Sequence, residues 1–183
     1  MLVTELLNMP EGKTLEFKRD LSSIKPILKA IVAFANTAGG SLILGVDDDK
    51  NITGIGDPLA AEEKLTSLIA DHIAPALLPT IKILTIENKT ILWLEVPYLA
   101  TMGPFYLKQE GIEKGTMIRL GSSSRLATPE MIQELQRNRR AQSFDAAPCL
   151  QASYDDLDHA LIKETFANVG QTLSKSKLKT LKY

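Results

Sequence analysis

Residues 14–46 read TLEFKRDLSSIKPILKAIVAFANTAGGSLILGV, and this stretch decides the fold class. Thr14 to Lys18 alternates Leu15 and Phe17 against Glu16 and Lys18. That is the period-two pattern of a half-buried strand, and it points Glu16 away from its apolar neighbours. Ser22 or Ser23 can cap a following helix that carries Pro26 in its first turn and sets Ile24, Ile27, Leu28, Ile31 and Phe34 at helical spacing. Gly39-Gly40 stops the helix, and Ser41 to Val46 is an apolar run of buried-strand length. A strand, a helix and a strand in succession predict a sheet with helices packed on it.

Working outward, Asp47 to Asn51 is a turn cluster, and Ile52 to Ile55 reads as the second arm of a hairpin. Pro58 to Ile73 has helical spacing of Leu59, Leu65, Leu68, Ile69 and Ile73. Thr80 to Glu87 and Thr90 to Val96 flank Asn88-Lys89 as an antiparallel pair, and their apolar faces predict a central position in the sheet. Phe105 to Lys108 and Thr116 to Leu120 read as short strands, and Thr128-Pro129 opens a helix that runs to about Arg140. The main domain is expected over residues 1–142. Residues 143–154, SFDAAPCLQASY, carry no usable period and read as a linker. Residues 155–183 read as a helical segment that opens a larger unit, with Lys175, Lys177, Lys179 and Lys182 and no acid after Gln171.

Composition excludes several classes. The 183 residues carry 21 basic against 22 acidic side chains, so affinity for nucleic acid must come from a local patch rather than the field of the whole molecule. A hydrophobic share of 44% with 23% charge is globular usage, which argues against disorder and coiled-coil rods. One cysteine, Cys149, and two scattered histidines, His72 and His159, build neither an internal disulfide nor a structural zinc site. The first residues lack a basic, apolar leader and no long apolar run follows, so the expectation is a cytoplasmic protein without a membrane partner. Gly12-Lys13-Thr14 is only a fragment of a phosphate-binding loop, without the earlier glycine or the preceding strand, which argues against nucleotide hydrolysis.

Three groups of residues can carry chemistry. Asn36, Gly39 and Gly40 join a helix end to a strand; the glycines either take a helix-ending turn or offer N–H groups to a phosphate, and Asn36 on an apolar helix end calls for a specific partner. Among the cations, Arg119 on a strand, Arg125 beside the Gly121 to Ser124 loop, Ser122 within it, and Lys18 and Arg19 are the candidates for gripping phosphate. Lys13, Lys108, Lys114, Arg137, Arg139 and Arg140 are further cations, with a solvated surface as the alternative role. Glu16 and Asp47 to Asp49 lie on or just past strands, where carboxylates either converge or make surface pairs and Asx turns.

The order and spacing of Glu11 to Arg19, Ala33 to Gly40, Leu44 to Asp49 and Ile52 to Gly54 resemble the Schlafen/AlbA-like domain of bacterial regulators described as RecG-related or divergent-AAA proteins. Gly103 to Tyr106, Ile118 to Ser122 and Ala127 to Glu130 resemble its later part. The resemblance covers about residues 10–142, and LDHALIKETF resembles the lead-in to a winged-helix region. It implies an α+β fold, a mixed and largely antiparallel sheet with helices packed on it, and nucleic-acid binding. The expectation is a transcriptional regulator that favours DNA over RNA, acts as a homodimer and needs no cofactor. In cleaving Schlafens a trio of two glutamates and an aspartate serves metal-dependent RNA cleavage. The residues matching it by position are Glu11, Glu16 and Asp48, with Asp47 as a substitute, and they would hold Mg2+ or Mn2+ in an endoribonuclease. A third expectation is a dimerising, effector-sensing platform whose DNA contacts lie in a missing C-terminal region.

Overall fold

The computed structural model describes residues 3–139, 158–168 and 170. The chain divides into two compact units, Met1–Gln142 and Ser143–Tyr183. The first is the α+β unit. Its elements are α1 (Val3–Asn8), β1 (Leu15–Lys18), α2 (Ile24–Thr37), β2 (Gly40–Leu44), α3 (Pro58–His72), β3 (Ile73–Ala74), β4 (Thr80–Ile86), β5 (Lys89–Val96), β6 (Tyr106–Leu107), α4 (Gly111–Gly115), β7 (Met117–Leu120), β8 (Ser123–Leu126) and α5 (Pro129–Arg139). In the second unit α6 (His159–Asn168) is described, and the Asp158 carboxylate caps its start by accepting from the N–H groups of Ala160 and Leu161. The expected linker at 143–154, Cys149, Arg140 and the lysine-rich end lie outside the described residues.

The main sheet has the order β1-β2-β5-β4, parallel between β1 and β2 and antiparallel elsewhere. The parallel pair follows from the opening stretch, because α2 provides the crossover that parallel neighbours require. Leu42 and Leu44 on β2 and Leu92, Leu94 and Val96 on β5 face α2 and α3. Leu15, Phe17, Ile43, Ile91 and Trp93 line the other face with Leu6 of α1. Helix α2 is the axis of the larger core: Ile31 to Ala35 are fully buried, because the sheet, α3 and the later strands enclose the helix from several sides.

Some expectations need correction. The pair β4–β5 is not central as a whole: β5 is, whereas β4 is an edge strand. Its turn is Glu87-Asn88, one residue earlier than predicted, with both residues at positive φ as a two-residue hairpin demands. The arm at Ile52 to Ile55 shrinks to a single bridge, Val46 to Ile52. At the start of α2, Ser23 makes no side-chain cap, while the Ser22 N–H donates to Asp20. Thr128 does cap α5, accepting from the Met131 N–H at 3.4 Å.

Asn36 is the buried polar residue that ties the later strands to α2. Its Nδ2 donates to the carbonyls of Phe105 (2.8 Å) and Met117 (2.9 Å), and its Oδ1 accepts from the Phe105 N–H (2.8 Å). We predict that Asn36→Leu, which keeps the branching and heavy-atom count of the side chain but strips these main-chain groups of partners, lowers stability by about 3 kcal/mol. Urea unfolding should show an earlier midpoint with an unchanged slope.

Candidate nucleic-acid interface

The site grows from β1 and the β7–β8 hairpin. The register Met117 to Leu126, Arg119 to Ser124 and Leu120 to Ser123 leaves Gly121-Ser122 as a two-residue turn, with Gly121 at φ 58°. Alternation puts Met117 and Arg119 on the inner face with Ser124, and Ile118, Leu120, Ser123 and Arg125 on the outer face. Arg119 is therefore turned inward, with 1% of its side chain exposed. Its Nε and Nη2 donate to the Gly12 carbonyl at 3.1 and 3.0 Å, Nη2 also to the Leu15 carbonyl at 3.4 Å, and Nη1 to the Ser124 hydroxyl at 3.1 Å. Its guanidinium carbon lies 4.9 Å from the centre of the Phe34 ring, and its own N–H donates to the Thr37 hydroxyl at 2.9 Å.

Glu16 completes this cluster. One carboxylate oxygen pairs with Lys18 Nζ at 2.7 Å, and the other faces the Arg119 guanidinium as an ion pair without a well-aligned hydrogen bond. Lys18 Nζ also donates to the Phe17 carbonyl at 2.9 Å. A continuous polar chain thus runs Lys18, Glu16, Arg119, Ser124 and joins the end of β1 to the hairpin. Lys13 beside Gly12, and Ser122 and Arg125 on the hairpin, are exposed.

The other predicted residues take separate places. The Glu11 carboxylate accepts from the Phe17 N–H at 2.7 Å, which seals the open side of β1. Asp48 is exposed in the turn after β2, while Asp47 accepts from the Asn51 N–H at 2.8 Å, four residues on, and so closes that turn. Glu11, Glu16 and Asp48 are not drawn into one ligand set: among the described residues no group of three or more histidine, cysteine, aspartate or glutamate side chains is placed to hold a metal ion. Arg19 is exposed, and its charge acts on Asp20 and Asp47. Gly39, at φ 71°, gives its N–H to the Phe34 carbonyl, and a Cβ there would stand 2.8 Å from the Val96 carbonyl oxygen. A Cβ on Gly40 would stand 2.6 Å from the Phe34 ring. Close packing accounts for both glycines. Trp93 is core, its Nε1 donating to the Ser41 hydroxyl at 2.9 Å.

Sequence reasoning missed the inward turn of Arg119 and the acceptor role of Thr37. Apolar residues flank Arg119 on both sides, so the pattern marks no inner face; Met117 two positions earlier was the single available signal.

Replacing Arg119 by Met should cost about 3 kcal/mol, because it leaves one Glu16 oxygen without its cation and the Gly12 carbonyl without a donor, although Lys18 still pairs with the other Glu16 oxygen and the Gly12 N–H still reaches the Leu15 carbonyl. Glu16→Gln should cost less, since Arg119 retains its carbonyl partners; urea unfolding of both variants measures the difference. Several carboxyls are held below their usual range: Asp20 by hydrogen bonds from Ser22, Asp47 by the Asn51 N–H, Glu110 by Lys25 and Glu130 by Thr128. These groups stay ionised to lower pH in the folded state than in the unfolded chain, so the unfolded chain binds more protons in acid. The melting temperature should therefore hold steady from pH 7 to about 5 and fall below about pH 4, as the depressed values are crossed.

Comparison with known proteins agrees with this architecture. The Schlafen, AlbA_2 family profile matches residues 11–128. The solution structure of the N-terminal domain of a protein from Nitrosomonas europaea, named for its relation to the ATP-dependent DNA helicase RecG, is 30% identical, with a TM-score of 0.53 over 70% of this chain and 94% of that domain. The crystal structure of the DIP2311 protein from Corynebacterium diphtheriae shares the fold at 20% identity and a TM-score of 0.56, covering 86% of this chain and 35% of that one. No curated protein matches. Among the described residues no helix is long and apolar enough to cross a membrane. With the family profile spanning most of the first unit and a RecG-related domain sharing its sequence and fold, the chain belongs to the Schlafen AlbA_2 family.

Proposed function

We propose that this chain is a DNA-binding regulatory module, a cytoplasmic homodimer that grips the phosphate backbone through the β7–β8 hairpin and the adjoining end of β1. The observation that carries the reading is the polar chain Lys18, Glu16, Arg119, Ser124. It clamps the hairpin against β1, so the exposed Arg125 guanidinium, the Ser122 hydroxyl and the Lys13 ammonium are presented on a braced surface rather than on a loose loop. Arginine and hydroxyl donors on such a ribbon suit phosphate oxygens, which position a protein on nucleic acid without reading bases. The family and the RecG-related neighbour support the same class of partner.

The roles within the predicted set shift accordingly. Arg119 supports the surface from below and has no donor left for phosphate, while Lys18, about a quarter exposed, adds one partly engaged ammonium. Arg19, exposed just past β1, is a further cation for the same surface. The glutamates of the trio serve main-chain and ion-pair roles, so binding without cleavage is the reading this geometry favours.

Affinity for duplex DNA should fall linearly on a log–log plot against salt, with a slope of about −0.9 per phosphate neutralised. Arg125→Ala should reduce that slope by about 1 and weaken binding to all sequences alike. Glu11→Gln and Asp48→Asn should leave binding unchanged. Salt-independent binding, or none to duplex DNA, would overturn the reading.

A further inference from the structure

The two edges of the main sheet are treated in opposite ways. On β1, the bonds from Ser41 N–H to Thr14 and from Gly45 N–H to Lys18 show that the even residues face β2, so Leu15 and Phe17 turn their main-chain groups outward. Three of these four groups are covered: the Leu15 carbonyl accepts from Gly12 and Arg119, the Phe17 N–H donates to Glu11, and the Phe17 carbonyl accepts from Lys18. On β4, Ile86 and Lys89 close a two-residue hairpin, so the even residues of β4 bond to β5. The N–H and C=O groups of Ile81, Ile83 and Thr85 point away from the sheet and find no partner among the described residues.

Strand β4, TIKILTI, also lacks the usual protections of a free edge: it has no proline and no bulge. Its one charge is withdrawn, since Lys82 pairs with Glu95 at 2.6 Å and lies over the Trp93 ring at 4.5 Å on its own sheet. Ile83 is 37% exposed, and Leu78 just before the strand is 88% exposed.

We propose that β4 pairs with β4 of a second copy of this chain, antiparallel about a two-fold axis at Ile83, and extends the sheet across a homodimer. The strand is its own complement in this register. Ile83 lies opposite the partner's Ile83 and Ile81 opposite the partner's Thr85, so every outward N–H and C=O of these residues meets a partner, and the facing side chains are β-branched. Lys82 falls opposite the partner's Leu84 rather than another lysine. Pro79 and Glu87 fall outside the paired segment, which limits the pairing to β4 and makes the interface small, of the class that dissociates at micromolar concentration. The proposal rests on the homodimer in the proposed function and assigns its interface.

Sedimentation velocity of the full chain from about 1 to about 300 µM tests it, together with amide exchange at both extremes. The expected result is a monomer–dimer equilibrium in which the amides of Ile81, Ile83 and Thr85 exchange at least fivefold more slowly in the dimer. Ile83→Lys and Ile83→Asp, each with unchanged circular dichroism, should weaken dimerisation at least tenfold through like charges at the axis. Mixing the two variants should restore it, since lysine then faces aspartate. A monomer at every concentration overturns both this assignment and the homodimer. A dimer whose β4 amides stay unprotected, or one that both variants retain, overturns the assignment alone and leaves the homodimer standing. Salt-dependent DNA binding reports on the remaining reading independently.

Discussion

The enclosed guanidinium of Arg119 is the interaction on which the first unit depends. A cation removed from water needs acceptors in fixed positions, and these come from four segments: the loop carbonyl of Gly12, the β1 carbonyl of Leu15 with the Glu16 carboxylate, the face of Phe34 on α2, and Ser124 on β8. Such a cluster adds little net stability over an apolar core of equal volume, because desolvation offsets the Coulomb gain. Its effect is positional, since only one placement of the hairpin satisfies the fork of donors. Asn36 and Thr37 set that placement from the other side by binding Phe105, Met117 and Arg119 at the end of α2.

This division explains the character of the candidate interface. The cations that look most suited to phosphate in the sequence, Arg119 and Lys18, are wholly or partly engaged within the protein, and Arg125 and Lys13 are exposed. Of the predicted acids, Glu16 lies within the clamp, Glu11 on the edge of β1 and Asp47 in its turn. The same side chains that brace the ribbon close the β1 edge, so strand pairing with another chain is left to β4.

Much of the fold was legible in the sequence. The period-two run at Leu15 to Lys18, the helical spacing through α2 and the glycine stop before β2 placed the strand, helix and strand of the core, because burial imposes those periods directly. Asn36 and the turn closed by Asp47 were legible for a related reason: a polar residue on an apolar face, or an aspartate before a tight turn, has few local ways to satisfy its hydrogen bonds. The status of β4 was not legible. An edge strand half covered by neighbours carries the same apolar alternation as a central one, and pairing order depends on residues far away in the chain.

The sequence by itself determined the family and with it the α+β class, the strand, helix and strand of the core that open the main unit, and which residues carry charge. Tertiary structure alone decided what those charges do. Glu16 and Arg119 are separated by 103 positions, and no local pattern records that they meet. Their roles follow from register and topology, which bring the hairpin over the end of α2 and turn an arginine expected at the surface into the post that holds it.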